Sequence, residues 1–434
     1  MALSDKGVIL LMITIIITMS LVFVVPDIVN DIIGDDGPRI INYTDANHTF
    51  PSPPKNHMII NVSTTQELRS ALLNLVSHTT IMIEPGVYRI DETQEKQFLT
   101  PVSTTIEDIA IRGQSGVRDD VILTGGGMFK SSAEYGIQIF NTRDVVIADL
   151  TIKDVYYHCI SIHPERGAKN ITLHNLRLLD AGEQLLKSNK DDTTGLNGLL
   201  IQYCSFELTN GWGVHPALGY AYGNGISAHK MSNMIVRDSE FHNIYYTTDS
   251  LAGPAILVWA GSQDTIVERN IFINCARGVA FGLSENGAGH TGGVIRNNFF
   301  YRSGSLNRQV DTAIYIESPN TIVCHNTIIV ESSYYAPIEI RYSIVTNVIV
   351  KNNILDGGII AQRDSAIADI SNNTFEAENS WFVAMSEGDL HLIDNAETRL
   401  YVIDQGSFLN SVPTDIDKEE RNPSKNVDLG ADEI

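Results

Sequence analysis

Ile256–Asn274 reads ILVWAGSQDTIVERNIFIN: a short apolar strand ending in Trp259, a polar turn Gly261-Ser262-Gln263-Asp264, and a second strand running into Asn270. The phrase returns down the chain. Its asparagine recurs as Asn298 in VIRNNFF, Asn326 in IVCHNTI, Asn353 in IVKNNIL and Asn373 in ISNNTF. Upstream the same slot holds Leu150, Leu176, Cys204 and Ser239. A period in the twenties to thirties, written in β-branched strands and polar turns, predicts a solenoid whose coils bury their apolar faces against one another.

The composition limits what such a solenoid can bind. Hydrophobic residues make up 43% of the 434, ample for a core, while only 19% are charged, so the turns must be dressed with Asn, Ser, Thr and Gly. A formal net charge of −22 argues against nucleic acid, whose phosphates need clustered Lys and Arg. It also repels an acidic polysaccharide unless a local basic patch or bound cations compensate. Cys159, Cys204, Cys275 and Cys324 sit in or beside apolar strands without metal-type spacing, which predicts buried free thiols.

Residues 1–33 carry an uncharged apolar run, Val8–Val25, preceded by Lys6 and followed by Asp27, Asp31, Asp35 and Asp36. A helix of that length just spans a hydrocarbon core of about 30 Å. The charge asymmetry places the rest of the chain outside the cytoplasm. The expectation is therefore a single-pass membrane protein, with 34–57 a proline-marked extracellular linker. Residues 58–105 read as an N-terminal cap. Ser63–Ser77 is its helix, with Thr64 and Glu67 as a capping box and Leu68, Leu72 and Leu75 at helical spacing. The coils run over 106–375, and 376–434 form a C-terminal cap and tail in which Trp381, Phe382, Leu390 and Leu392 seal the end and Asp417–Arg421 is exposed.

The helix followed by IEPGVY, the NxF-type coils and the closing VDLGADEI resemble secreted right-handed parallel β-helix proteins of the pectate-lyase-like superfamily. LAGPAILVW, RGVAFGL and GHTGGVIRNN resemble a bacterial and archaeal group of that fold with no assigned activity. The resemblance covers roughly 58–434 and speaks for fold more than for activity. It implies an all-β solenoid, a glycan partner, no fixed cofactor apart from possible Ca2+, and a monomer.

Alternate side chains of a strand face opposite sides. Aligning the strand before each turn, IQIF, ISIH, QLLK, ISAH, ILVW, VAFG, IYIE, IEIR and IIAQ, puts the first and third letters in the core. The fourth letters form an outward column: Phe140, His163, Lys187, His229, Trp259, Gly282, Glu317, Arg341 and Gln362. On that reading His163, Lys187, His229 and Trp259 lie side by side, at about 4.8 Å per coil. The longest loops flank them. They bring Trp212, His215, Tyr220 and Tyr222, then Tyr245, Tyr246 and Asp249, then Glu285 and His290, and aromatic rims suit sugar rings.

Lyases of acidic polysaccharides remove a proton alpha to a carboxylate and then eliminate the 4-linked sugar, which needs a base and charge neutralisation. Lys187 fits as base in type, with His163 and His229 beside it to depress its pKa. Trp259, Arg277, Trp212, Tyr222 and His290 are the candidate substrate contacts. The paired aspartates of β-helix polygalacturonases and the acidic calcium cluster of pectate lyases are not matched, and no residue is assigned as a metal ligand. Each polar group also has a plainer reading as surface decoration, Glu317 and Arg341 most of all, whereas the recurrent asparagines are structural. Two functions stay open: a surface-anchored lyase-like enzyme acting on a uronate-containing glycan, or a non-catalytic glycan-binding or structural envelope protein.

Overall fold

The computed structural model describes residues 52–434. The apolar run and most of the linker lie outside them. Among the described residues no helix is long and apolar enough to cross a membrane.

Each coil contributes up to three short strands, and nearly every strand pairs in parallel with its counterpart one coil away. One face is a ten-stranded parallel sheet running from Phe98–Leu99 through Ile160–Ile162, Leu186–Ser188, Ile226–His229 and Ile256–Trp259 to Ile360–Arg363. The other two faces are continuous in the early coils, because Thr142–Val155 and Lys169–Ala181 run through the corner between them. The capping box at Thr64 and Glu67 forms as expected, and the helix Thr65–Leu73 buries Leu68 and Leu72 against the first coils.

The repeated slot is the corner. The residue before it takes a left-handed φ at coil after coil, as at Asp149, Asn175, Tyr203, Asp238, Arg269, Asn297, His325, Asn352 and Asn372. Asn and Asp tolerate that conformation best, which accounts for the paired asparagines of VIRNNFF and VKNNIL. The slot residue then turns its amide inward. Asn270 Nδ2 donates to Asn298 Oδ1 (3.0 Å), Asn298 to Asn326 (2.9 Å), Asn326 to Asn353 (3.0 Å) and Asn353 to Asn373 (2.8 Å). Each oxygen also takes the backbone N–H of the asparagine one coil earlier. Ser239 extends the same line toward the N-terminus, its N–H donating to Asn270 Oδ1. Two residues on, Phe206, Phe241, Phe272 and Phe300 stack ring on ring at centroid spacings of 4.8, 4.9 and 4.4 Å. The four cysteines are buried and free, as expected.

The tail departs from expectation. Trp381, Phe382, Leu390 and Leu392 pack on Phe299, Tyr301, Ile329 and Ile354, so they cover the flank of several coils rather than the open end. Arg421, expected to be exposed with its neighbours, is buried and paired with Glu433. From there the tail is stitched along the corner: Asn352 donates to Ser407 O, Asn297 to Thr414 O, and Lys418 to the Tyr203 hydroxyl.

Candidate active site

The ten-stranded sheet sets the row of outward side chains. Its register aligns Ser161, Lys187 and Ser227, then Leu257, Ala280, Tyr315 and Glu339. Lys187 is thus two residues out of step with the sequence alignment, and Asn189 follows Ser188 toward the level of His163 and His229. A two-residue slip preserves which face a side chain takes, so Lys187 still points outward. Gln362, aligned with Arg341 from sequence, instead pairs with Ile340, and Arg363 takes the place beside Arg341.

Lys187 still meets one of the expected histidines. Its Nζ lies 2.9 Å from His229 Nε2 and donates to Ser227 Oγ at 3.2 Å. Burial pushes the amine down to about 8, against the opposing pull of Glu183. The cause is therefore desolvation rather than the cationic neighbours invoked from sequence. Burial, then Lys187 and Lys190, push His229 down to about 4, so it is a neutral imidazole at physiological pH. Trp259 stands edge-on to His229, with ring centroids 5.0 Å apart, and its buried Nε1 has no acceptor among the described residues.

His163 sits one place further along. Its Nδ1 meets Glu165 at 2.8 Å, its Nε2 meets Ser161 Oγ at 3.1 Å, and its ring stacks on Phe140. Asn189 donates to the same serine hydroxyl at 3.2 Å. The histidine is committed to an ordered network next to Lys187 and does not touch it. Behind the row lie groups that the sequence reading passed over. His158 bonds Gln184 O at 3.2 Å and approaches Glu183 at 3.8 Å, and burial with Lys187 nearby pushes it down to about 3. Burial raises Glu183, opposed by His215 and Lys187. Glu183 lies four residues before Lys187, and a strand-by-strand alignment places such a residue outside its frame. Nothing in composition singles it out.

Among the candidate contacts, Tyr222 stays at the rim, where burial raises its phenol and the Gln184 side chain holds it. Trp212 and His290 do not serve as contacts. Trp212 is fully buried, with its indole N–H on Ala181 O at 2.7 Å, so it plugs the root of its loop. His290 is buried between Thr265 and Ser318 hydroxyls and stacks on Phe281, and burial pushes it down to about 3. Arg277 borders the strand Val279–Phe281, three strands from Lys187 and about 14 Å away at sheet spacing. Its Nε lies 3.3 Å from Asp311. Arg341 lies over the Tyr315 ring and shares the buried Glu339 with Arg363, so its charge is compensated. Glu317, read from sequence as a solvated face residue, is buried and accepts the N–H groups of Ser284 and Glu285.

Groups of three or more potential metal ligands occur, among the described residues, at His57, His78 and Asp108 and at His391, Asp417 and Asp432. Neither borders Lys187. The carboxylates on this face, Glu165 and Glu183, do not make the cage of six to eight oxygens that calcium takes.

The class these features define is a right-handed parallel β-helix, bearing a desolvated lysine on its ten-stranded sheet. The solved structures it resembles include pectate lyase Pel9A, at TM-score 0.57 and 13% identity over 86% of this chain and 96% of that one. An alginate lyase from Paenibacillus sp. str. FPU-7 aligns at TM-score 0.44 and 17% identity over 72% of this chain and 97% of that one. Pectate lyase Bsp165PelA from Bacillus sp. N165, in complex with trigalacturonate, aligns at TM-score 0.40 and 14% identity over 66% and 85%. At such identities the likeness is one of fold. No family model and no curated protein matches the chain.

Proposed function

We propose that this protein is a polysaccharide lyase acting on a uronate-containing glycan, with Lys187 as the base. The observation that carries the reading is the Lys187 amine, desolvated to a pKa of about 8 and held between Ser227 and the neutral His229. A lysine tuned this way can accept a proton near working pH. In the reaction Nζ takes the proton from the carbon alpha to the uronate carboxylate. The electron pair forms the new C4–C5 double bond, the C4–O bond breaks, and the departing oxygen gains a proton from solvent. Trp259 and Tyr222 bind sugar rings on either side. Arg277 meets a carboxylate further along the glycan. No step is routed through calcium.

The support from comparison is that Pel9A, with the same fold, is a pectate lyase. The apolar run in residues 1–33 supports attachment to a membrane with the β-helix outside the cytoplasm, which protease accessibility on intact cells would test. The activity is tested by the ultraviolet absorbance of the unsaturated uronate, using the full chain with alginate, pectate, chondroitin and ulvan. Lys187→Ala should lower the rate by about 10²–10⁴-fold. An absorbance rise that survives in Lys187→Ala refutes the assignment of the base. Binding of a glycan without any rise would favour a non-catalytic glycan-binding protein.

A further inference from the structure

The N-terminal end of the solenoid holds a second chemical cluster, on a different sheet from the one that carries Lys187. His57 enters just before the first strand, Met58–Val62. His78 precedes the second, Thr79–Ile83, and Asp108 lies in the third, Ile106–Gly113. These three strands pair in succession, so the three side chains come from three stacked coils. His57 Nε2 lies 3.1 Å from Asp108 Oδ2, and His78 Nδ1 lies 2.9 Å from the same oxygen. All three ligand atoms fall within 4.8 Å of one another.

His57 is the informative member. Its side chain is only 2% exposed, and its buried Nε2 faces no polar partner other than the Asp108 carboxylate. Its other nitrogen, Nδ1, is fixed at 2.9 Å by the Thr80 hydroxyl, which is buried. A buried imidazole oriented through one nitrogen, with the other aimed at a carboxylate and a second imidazole, is the arrangement by which proteins present a metal ligand. Two nitrogens and one oxygen at bonds of about 2.0–2.1 Å in a tetrahedron stand roughly 3.3 Å apart, close to the two nitrogen–Asp108 distances. His78 and Asp108 are 52% and 36% exposed, which leaves the fourth position facing solvent. Both take left-handed backbone φ, +60° and +56°, so each side chain leaves its strand at a bend.

We propose that His57, His78 and Asp108 form a binding site for a zinc-class divalent cation. Imidazole with carboxylate selects zinc and its neighbours over calcium or magnesium, which prefer oxygen. The cation would pin the point where the chain enters the solenoid to the next two coils. This site is independent of the reading of Lys187.

The full chain, stripped with chelator, would be titrated with Co2+ and then with Zn2+ against a chromophoric competitor. One Co2+ per chain with the intense visible bands of tetrahedral cobalt, displaced by one Zn2+, is expected. His78→Ala, an exposed position whose fold circular dichroism can check, should weaken binding by more than about 100-fold. Thr80→Val should weaken it by about 10–100-fold, the loss expected of an outer partner. His391→Ala, in the other histidine–aspartate cluster, should leave it unchanged. Failure to take up either metal, uptake that survives His78→Ala, or uptake lost in His391→Ala would each overturn the proposal.

Discussion

At Lys187 the chain keeps an amine where a hydrocarbon would be more comfortable. In the folded state its pKa falls from 10.5 to about 8. The unfolded chain therefore holds the proton more tightly between those values, and stability rises with pH across that window. Below pH 8 both states are charged, and the folded one carries the full cost of the buried ammonium. Lys187→Met should therefore stabilise the protein near pH 7 by about 1–3 kcal/mol while abolishing lyase activity, as thermal unfolding and uronate absorbance would show together. A Lys187→Met protein that is less stable than wild type would mean the amine is structural. The same substitution removes a positive neighbour of His229, so the imidazole should titrate higher, readable by NMR. On the proposed mechanism, in which the neutral Lys187 amine is the base, activity of the wild type should climb with pH and reach half its plateau near pH 8. Lys187 could be picked out as a candidate from sequence because outward residues alternate. Its partners could not, because which coil residue lies level with it depends on a two-residue register that Gln184-Leu185-Leu186-Lys187 leaves undetermined. Trp212 and His290 misled for a related reason: an aromatic or imidazole in a long loop reads the same whether it rims the loop or plugs it.

The corner element was legible almost in full. An asparagine returning after each strand pair, often with a second asparagine before it, states both the left-handed bend and the amide that satisfies it. The coils where Leu150 and Leu176 stand in the slot show that the bend alone suffices when the strands run through it. Asn298 is the best place to weigh the ladder. Its amide donates to Val267 O, Arg296 O and Asn326 Oδ1, and its oxygen takes two donors from Asn270. Asn298→Leu keeps the volume but strands buried donors and acceptors, each worth about 1–3 kcal/mol. We expect a loss of about 3 kcal/mol or more by chemical denaturation, whereas a loss under about 1 kcal/mol would mean water replaces the amide.

For the whole molecule, charge and connectivity decide behaviour. A net charge of −22 repels a polyuronate, and salt screens that repulsion over about 10 Å at 0.1 M. KM for a uronate polymer should therefore fall several-fold as ionic strength rises from about 0.02 to 0.2 M, the reverse of a basic enzyme's response. Contacts in a solenoid are made with nearest neighbours. Removing the tail after Asp404 should accordingly raise hydrogen exchange in the coils from Val294 to Ser371, which it clamps, and leave those before Gln202 protected. The position of that clamp was beyond sequence reading, since the apolar residues of the tail have no periodicity to say which surface they cover.

The amide line also has a direction. Every link from Asn270 to Asn373 donates toward the C-terminus, and the last one, Asn373, gives its own N–H groups to Val350 O and Ser371 O. The row is thus a polar rail with a distinct head and foot, along which a lengthened rod could be written. A duplicated coil spliced between Asn298 and Asn326 should be accepted if it brings its own asparagine in phase, and it would lengthen the rod by about 4.8 Å.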